Sequence, residues 1–267
     1  MLLLVLAVLL GIAAALARPW WIERRRQRLR LLPFPAAWRR ILRRRVPAVA
    51  RLPADLQQLL KGHLQVFVAE KPFIGCDGLV ITDEVRVTIA AQACLLLLGH
   101  ARPQLYPRLR QVLVYPGAFV VEHEQPVGGG VVHRQRRALA GQSWSQGQVV
   151  LGWDEVLAGA ADASDGQNVV IHEFAHQIDQ DKGVANGRPW LPSRRQGQRW
   201  AQVMDEAFQR LQQQPSALIG SYAASEPAEF FAVTSELFFE QPQALAAEAP
   251  LVYRELALLY QLHPLAW

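Results

Sequence analysis

The stretch that decides the reading of this chain is 169–180, VVIHEFAHQIDQ. His172 and His176 stand four positions apart, and Glu173 follows the first of them. On a helix, positions i and i+4 share a face, so both imidazoles can reach one metal ion. Neutral imidazole suits zinc, at roughly 2.0–2.1 Å. Glu173 then lies where it can take a proton from water whose pKa zinc lowers to about 7. Val169, Val170, Ile171, Phe174, Ala175 and Ile178 cover the other faces, which places the helix in a core. Two ordinary core or surface histidines would give the same letters. Unpaired imidazoles desolvated in a hydrophobic helix are costly, however, and that weighs for the metal.

A catalytic zinc needs a third protein ligand and an open position. The pattern H-E-x-x-H-x-x-G-x-x-H is not completed, because Asp179 and Lys182 occupy its last two places. Asp179 lies on the same face, three residues after His176, and reads as a partner that orients a ligating histidine. A better source for the third ligand is 221–240, SYAASEPAEFFAVTSELFFE, where Ser225 before Glu226-Pro227 marks a helix start. Glu229 falls in the first turn and Glu236 one heptad further along the same face. Spacing alone leaves both open as ligands.

Moving outward, the 267 residues are 51% hydrophobic, which excludes a largely disordered chain. The two cysteines, Cys76 and Cys94, exclude a disulfide scaffold and, lacking a C-x-x-C companion, read as reduced and buried. A pI near 9.6 ordinarily points to nucleic acid. The charge is segregated, though: residues 18–51 hold twelve arginines against Glu23 alone, a net of +11, so the remainder carries −6 of the overall +5. An acidic body on a basic segment gives no support to a nucleic-acid partner.

Residues 1–17, MLLLVLAVLLGIAAALA, are uncharged and span about 26 Å as a helix. Adding Pro19, Trp20, Trp21 and Ile22 reaches the roughly 30 Å of a bilayer core, with a tryptophan belt and a basic flank. Ala15-Leu16-Ala17 resembles a cleavage site, but signal peptides carry positive charge before the apolar run rather than after it. The expectation is therefore a transmembrane anchor at 1–22, an arginine-rich juxtamembrane segment at 23–51 held at anionic lipid, and an α+β catalytic domain at 52–267. That arrangement makes the chain a single-pass inner (cytoplasmic) membrane protein with its catalytic domain facing the cytoplasm. Within the body, 55–69, 85–98, 165–180, 194–214, 227–240 and 250–262 read as helices. Strands are expected at 111–115, 118–121, 131–140 and 148–153, with Gly128-Gly129-Gly130 marking a mobile loop. The fold class is α+β.

HEFAHQID (172–179) and SYAASEPAEFFAVTSELFF (221–239), with CDGL (76–79), LVYPGAFVV (113–121) and GQSWSQGQVVLGW (141–153), resemble the Mlc titration factor A (MtfA) family of zinc peptidases. The similarity runs in the same order over roughly 65–262; the N-terminal apolar and arginine segments depart from the soluble members. The resemblance implies a zincin-like metallopeptidase domain in which His172, His176 and Glu229 bind Zn2+ and Glu173 is the catalytic base. The tyrosine of the second block falls on Tyr222, whose phenol would stabilise an oxyanion. It further implies an aminopeptidase-like activity on a peptide or protein substrate, aligned along an edge strand that we place at 148–153. The alternative it carries is a binding protein that sequesters a transcriptional repressor, the Mlc titration that names the family.

Overall fold

Between residues 73 and 152 the β-branched runs pair into one four-stranded sheet. The computed structural model describes residues 1–100, 103–117, 119–127, 131–139, 141–144 and 147–267; the Gly128–Gly130 loop lies outside them. The chain opens with helices α1 (Leu2–Leu31), α2 (Ala36–Arg45) and α3 (Ala54–Glu70), then strand β1 (Phe73–Gly75), α4 (Asp83–Leu95) and β2 (Gln111–Tyr115). A long hairpin follows, β3 (Phe119–Val127) and β4 (Val131–Leu139), then β5 (Gly141–Trp144) and β6 (Gln148–Gly152). The rest is helical: α5 (Trp153–Ala161), α6 (Val169–Asp179), α7 (Arg194–Gln213), α8 (Pro227–Glu240), α9 (Pro242–Glu248) and α10 (Pro250–Tyr260).

The sheet order is β1-β2-β6-β5, while among the described residues β3 and β4 pair only with each other. β1, β2 and β6 are parallel, and β5 runs antiparallel to β6. Burial explains the order. In β2, Val112 and Val114 alternate inward, whereas β6 buries Val149, Val150 and Leu151 in succession, as a strand flanked on both sides must. β6 is therefore internal, and the expectation that 148–153 forms the edge fails; the edge beside it is β5.

Local chemistry starts the helices. Thr82 caps α4, Asn168 caps α6, and Ser193 with Gln196 closes a capping box on α7. α8, α9 and α10 each begin on a proline, whose fixed φ suits a first helical turn. α6 is pinned by a fully buried aromatic trio: Phe174 lies 5.7 Å from Phe67 of α3 and 4.7 Å from Tyr106, ring centre to ring centre. The Tyr106 hydroxyl donates to the Ala93 carbonyl at 2.6 Å, so its polar end is satisfied.

The N-terminal expectation is overturned. Among the described residues, no helix is long and apolar enough to cross a membrane. The uncharged run ends at Arg18, about 26 Å along α1, and of the residues counted on to complete a span Trp20 and Trp21 are exposed while the other two meet the body. Pro19 and Ile22 line a cleft with Pro103, Leu105 and Pro107. One turn later Arg26 grips Glu70 of α3 with two hydrogen bonds, at 2.9 and 2.7 Å, and Arg30 pairs with Glu23 at 3.0 Å. Residues 34–52 likewise pack rather than dangle, since Phe34, Leu42, Val46, Val49 and Leu52 are buried in the same core as α3 and α4. The single-pass inner-membrane assignment, and with it a juxtamembrane role for 23–51, does not stand.

Candidate metal centre

Asn168 starts α6 by accepting the Ile171 amide at 3.0 Å. From that start His172 and His176 emerge one turn apart on the face turned to α8, which presents Glu229 in its first turn and Glu236 two turns later. The structure brings His172, His176 and Glu229 together as a group able to hold a metal ion. His172 Nε2 lies 3.0 Å from Glu229 Oε2 and 3.2 Å from His176 Nε2, and the third side of the triangle is 3.5 Å.

The donor set fits a cation. Glu236 Oε1 sits 2.8 Å from His172 Nδ1. A carboxylate only accepts, so Nδ1 carries the hydrogen, and with a cation at the centre Nε2 would offer it a lone pair beside those of Glu229 and His176. Three lone-pair atoms thus converge on one point, an arrangement that needs positive charge. The surrounding carboxylates favour positive charge at this point, whether it is carried by a proton or by a metal ion. Burial pulls the His172 pKa down, but contacts with Glu229 and Glu236 outweigh it and leave His172 well above its usual value. Burial pushes Glu229 up, but the two histidines outweigh it and hold its carboxyl well below the ordinary range.

Glu173 is on the same helix and buried, with Oε2 lacking any partner among the described residues. Burial pushes its pKa up to about 7, against the pull of His172 and His176. A carboxylate poised there can take and return a proton at neutral pH. Tyr222 lies in the short turn before α8, its ring centre 6.0 Å from that of His172. Its phenol hydrogen-bonds Glu229, and burial together with that carboxylate raises its pKa. The ring remains 60% exposed, so the phenol stands between the buried cluster and solvent.

Two expected partners land elsewhere. Asp179 does not hydrogen-bond a histidine. Its Oδ2 accepts the backbone amides of Asn186 and Gly187, both at 2.7 Å. That turn sets α8: Gly187 has φ +74°, where a Cβ would come within 2.4 Å of the Pro227 carbonyl oxygen, and its own carbonyl accepts from Trp200 Nε1 at 2.8 Å. Asp179 therefore ties the end of the histidine helix to the start of the helix that carries Glu229. Glu236 lies behind His172, on the imidazole edge away from Glu229. Asn168, Gln92 and Glu240, which pack behind Glu236, were not singled out in the sequence. For Asn168 a signal was available, because an asparagine just before a helical run is a cap; Gln92 and Glu240 come from distant segments and gave none.

A family model described as glucose-regulated metallo-peptidase M90 matches residues 20–261. An uncharacterised protein of Synechocystis sp. is 41% identical over 268 residues, covering 98% of this chain and 97% of its own. Mlc titration factor A of Yersinia enterocolitica is 34% identical over 86% of this chain and 87% of its own. The protein of the same name from Pectobacterium atrosepticum is 36% identical over 83% and 84%.

Proposed function

The chain belongs to the glucose-regulated metallo-peptidase M90 family, and from that premise we propose that it is a zinc-dependent, aminopeptidase-like hydrolase of zincin-like fold. In this reading His172, His176 and Glu229 hold zinc, Glu173 is the general base and Tyr222 assists at the oxyanion. The observation that carries it is the triangle of ligand atoms. Zinc–nitrogen bonds of 2.0–2.1 Å in a tetrahedron separate neighbouring ligand atoms by about 3.3 Å, and the three sides measure 3.0, 3.2 and 3.5 Å. Two imidazoles and one carboxylate leave the fourth corner for a substrate or water.

When bound, zinc supplies Lewis acidity toward a carbonyl and toward water. Glu173 accepts the proton of the attacking water and delivers it to the leaving amine, both within its near-neutral range. The Tyr222 phenol donates to the oxygen of the carbonyl under attack. β5 ends the sheet order beside α6, so a peptide added at its backbone would run past the site.

Replacing the base tests this directly. Glu173→Gln is expected to retain zinc while chelator-sensitive hydrolysis of aminoacyl reporter substrates falls about 10²–10⁴-fold; unchanged turnover would overturn the assignment. The name shared by several relatives, Mlc titration factor A, supports a second reading in which the chain sequesters a repressor. Recovery of a repressor on Glu173→Gln bait would favour it.

A further inference from the structure

The two histidines are backed unequally. His176 Nδ1 is buried with no partner among the described residues, whereas His172 Nδ1 donates to Glu236 at 2.8 Å. Both oxygens of Glu236 are engaged, Oε1 by His172 and Oε2 by the backbone N–H of Asn168. The Asn168 side chain has two functions. Its oxygen caps α6 through the Ile171 amide. Its amide nitrogen lies 2.8 Å from Gln92 Oε1, 2.9 Å from Glu240 Oε1 and 3.1 Å from the Gly159 carbonyl oxygen. Two hydrogens thus meet three acceptors, one each from α4, α8 and α5.

A helix cap needs only an acceptor, and Asp or Ser serves as well as Asn. The donor half of the amide is therefore superfluous to capping. It locks the residue whose N–H fixes Glu236. The whole group is buried: Asn168, Gln92 and Glu240 are 3%, 1% and 9% exposed. A rotation of Asn168 would have to break bonds among buried groups. Burial also pushes the Glu240 acid up to about 8, so the amide meets a largely neutral carboxyl at pH 7.

We propose that Asn168 is a positioning residue for the metal, fixing Glu236 and, through it, the tautomer and orientation in which His172 presents Nε2. The inference rests on the zinc reading of the site. Carboxylates behind ligating histidines typically change metal affinity 10–100-fold, and here the carboxylate is itself held by an asparagine two steps from the metal.

The test measures zinc affinity of the full chain by chelator competition, with the visible absorption of the cobalt-substituted protein as a report on ligand geometry. Asn168→Asp keeps the cap but turns a carboxylate toward three acceptors; Asn168→Ser keeps the cap and removes the donors without adding charge. Both are expected to bind zinc about tenfold or more weakly, with shifted cobalt bands, as is Glu236→Gln. If Asn168→Asp does not fold, Asn168→Ser decides. Wild-type affinity and cobalt spectrum in a folded Asn168 variant would reduce Asn168 to a cap and overturn this inference alone. A wild-type chain that takes up neither zinc nor cobalt would overturn the zinc reading as well.

Discussion

The α6–α8 pair and the α1–α2 pair are both rich in ionisable side chains, and they use their charge in opposite ways. In α6–α8, Glu173, His176 and Glu236 are buried, and His172 and Glu229 are nearly so; His172, His176 and Glu229 face one another across a gap of about one ion. In α1–α2 most arginines point to solvent, and a few, such as Arg26 and Arg45, are drawn down against acids of the body. Buried groups constrain one another strongly because each unmet charge is expensive. Exposed groups are screened, and each contributes little. Removing a charge should therefore abolish function in the first region and barely alter stability in the second.

The largest expected effect is at the third ligand. Glu229→Ala should take zinc content from about one ion per chain to near none, by elemental analysis, whereas a variant that keeps its zinc would equate the two regions. His63 of α3 extends the comparison to a buried group outside the site. It is fully buried, and Nε2–H donates to the His100 carbonyl at 3.1 Å. Burial lowers its pKa to about 4, with Arg30 nearby adding to the effect. The unfolded chain binds this proton near pH 6.5 and the folded one only near 4, so the stability present above pH 6.5 is lost as pH falls from 6.5 to 4. The loss should be on the order of 3 kcal/mol, and His63→Gln should flatten that limb of the denaturation profile.

Next is the joint between α6 and α8. Gly187→Ala places a Cβ against Pro227 at a left-handed φ, and should cost about 2 kcal/mol. Its melting temperature should fall by about 4–8 °C, with zinc affinity falling too because Glu229 rides on that turn. The smallest effect belongs to α1. Arg26→Ala removes a two-pronged ion pair with Glu70 and should cost about 1 kcal/mol, leaving zinc content and hydrolysis unchanged.

The same contrast governs what could be read from the sequence. The two histidines of α6 were legible because helical spacing is local, and the helices at 54–70, 194–213 and 227–240 follow from periodicity and caps. Whether Glu229 or Glu236 faces the metal edge of His172 depends on how α8 crosses α6, which a heptad spacing does not encode. Asp179 shares the histidine face, yet turns to the 186–187 amides because those donors arrive from a loop with no periodic signal. The apolar run at 1–17 and the arginines after it carry a composition that suits a membrane. The contacts of Pro19, Ile22 and Arg26 with the body are long-range, and composition says nothing of them. β5 is a four-residue strand, GQSW, too short to carry an alternating pattern, so pattern alone points to the neighbouring run at 148–153 as the edge.

The account turns on His172, His176 and Glu229 meeting at one zinc ion. A crystal of the zinc-loaded chain measured on both sides of the zinc absorption edge should show one strong anomalous peak about 2.0–2.2 Å from His172 Nε2, His176 Nε2 and a Glu229 carboxylate oxygen. A peak held by other side chains, or none at this triangle, would contradict it.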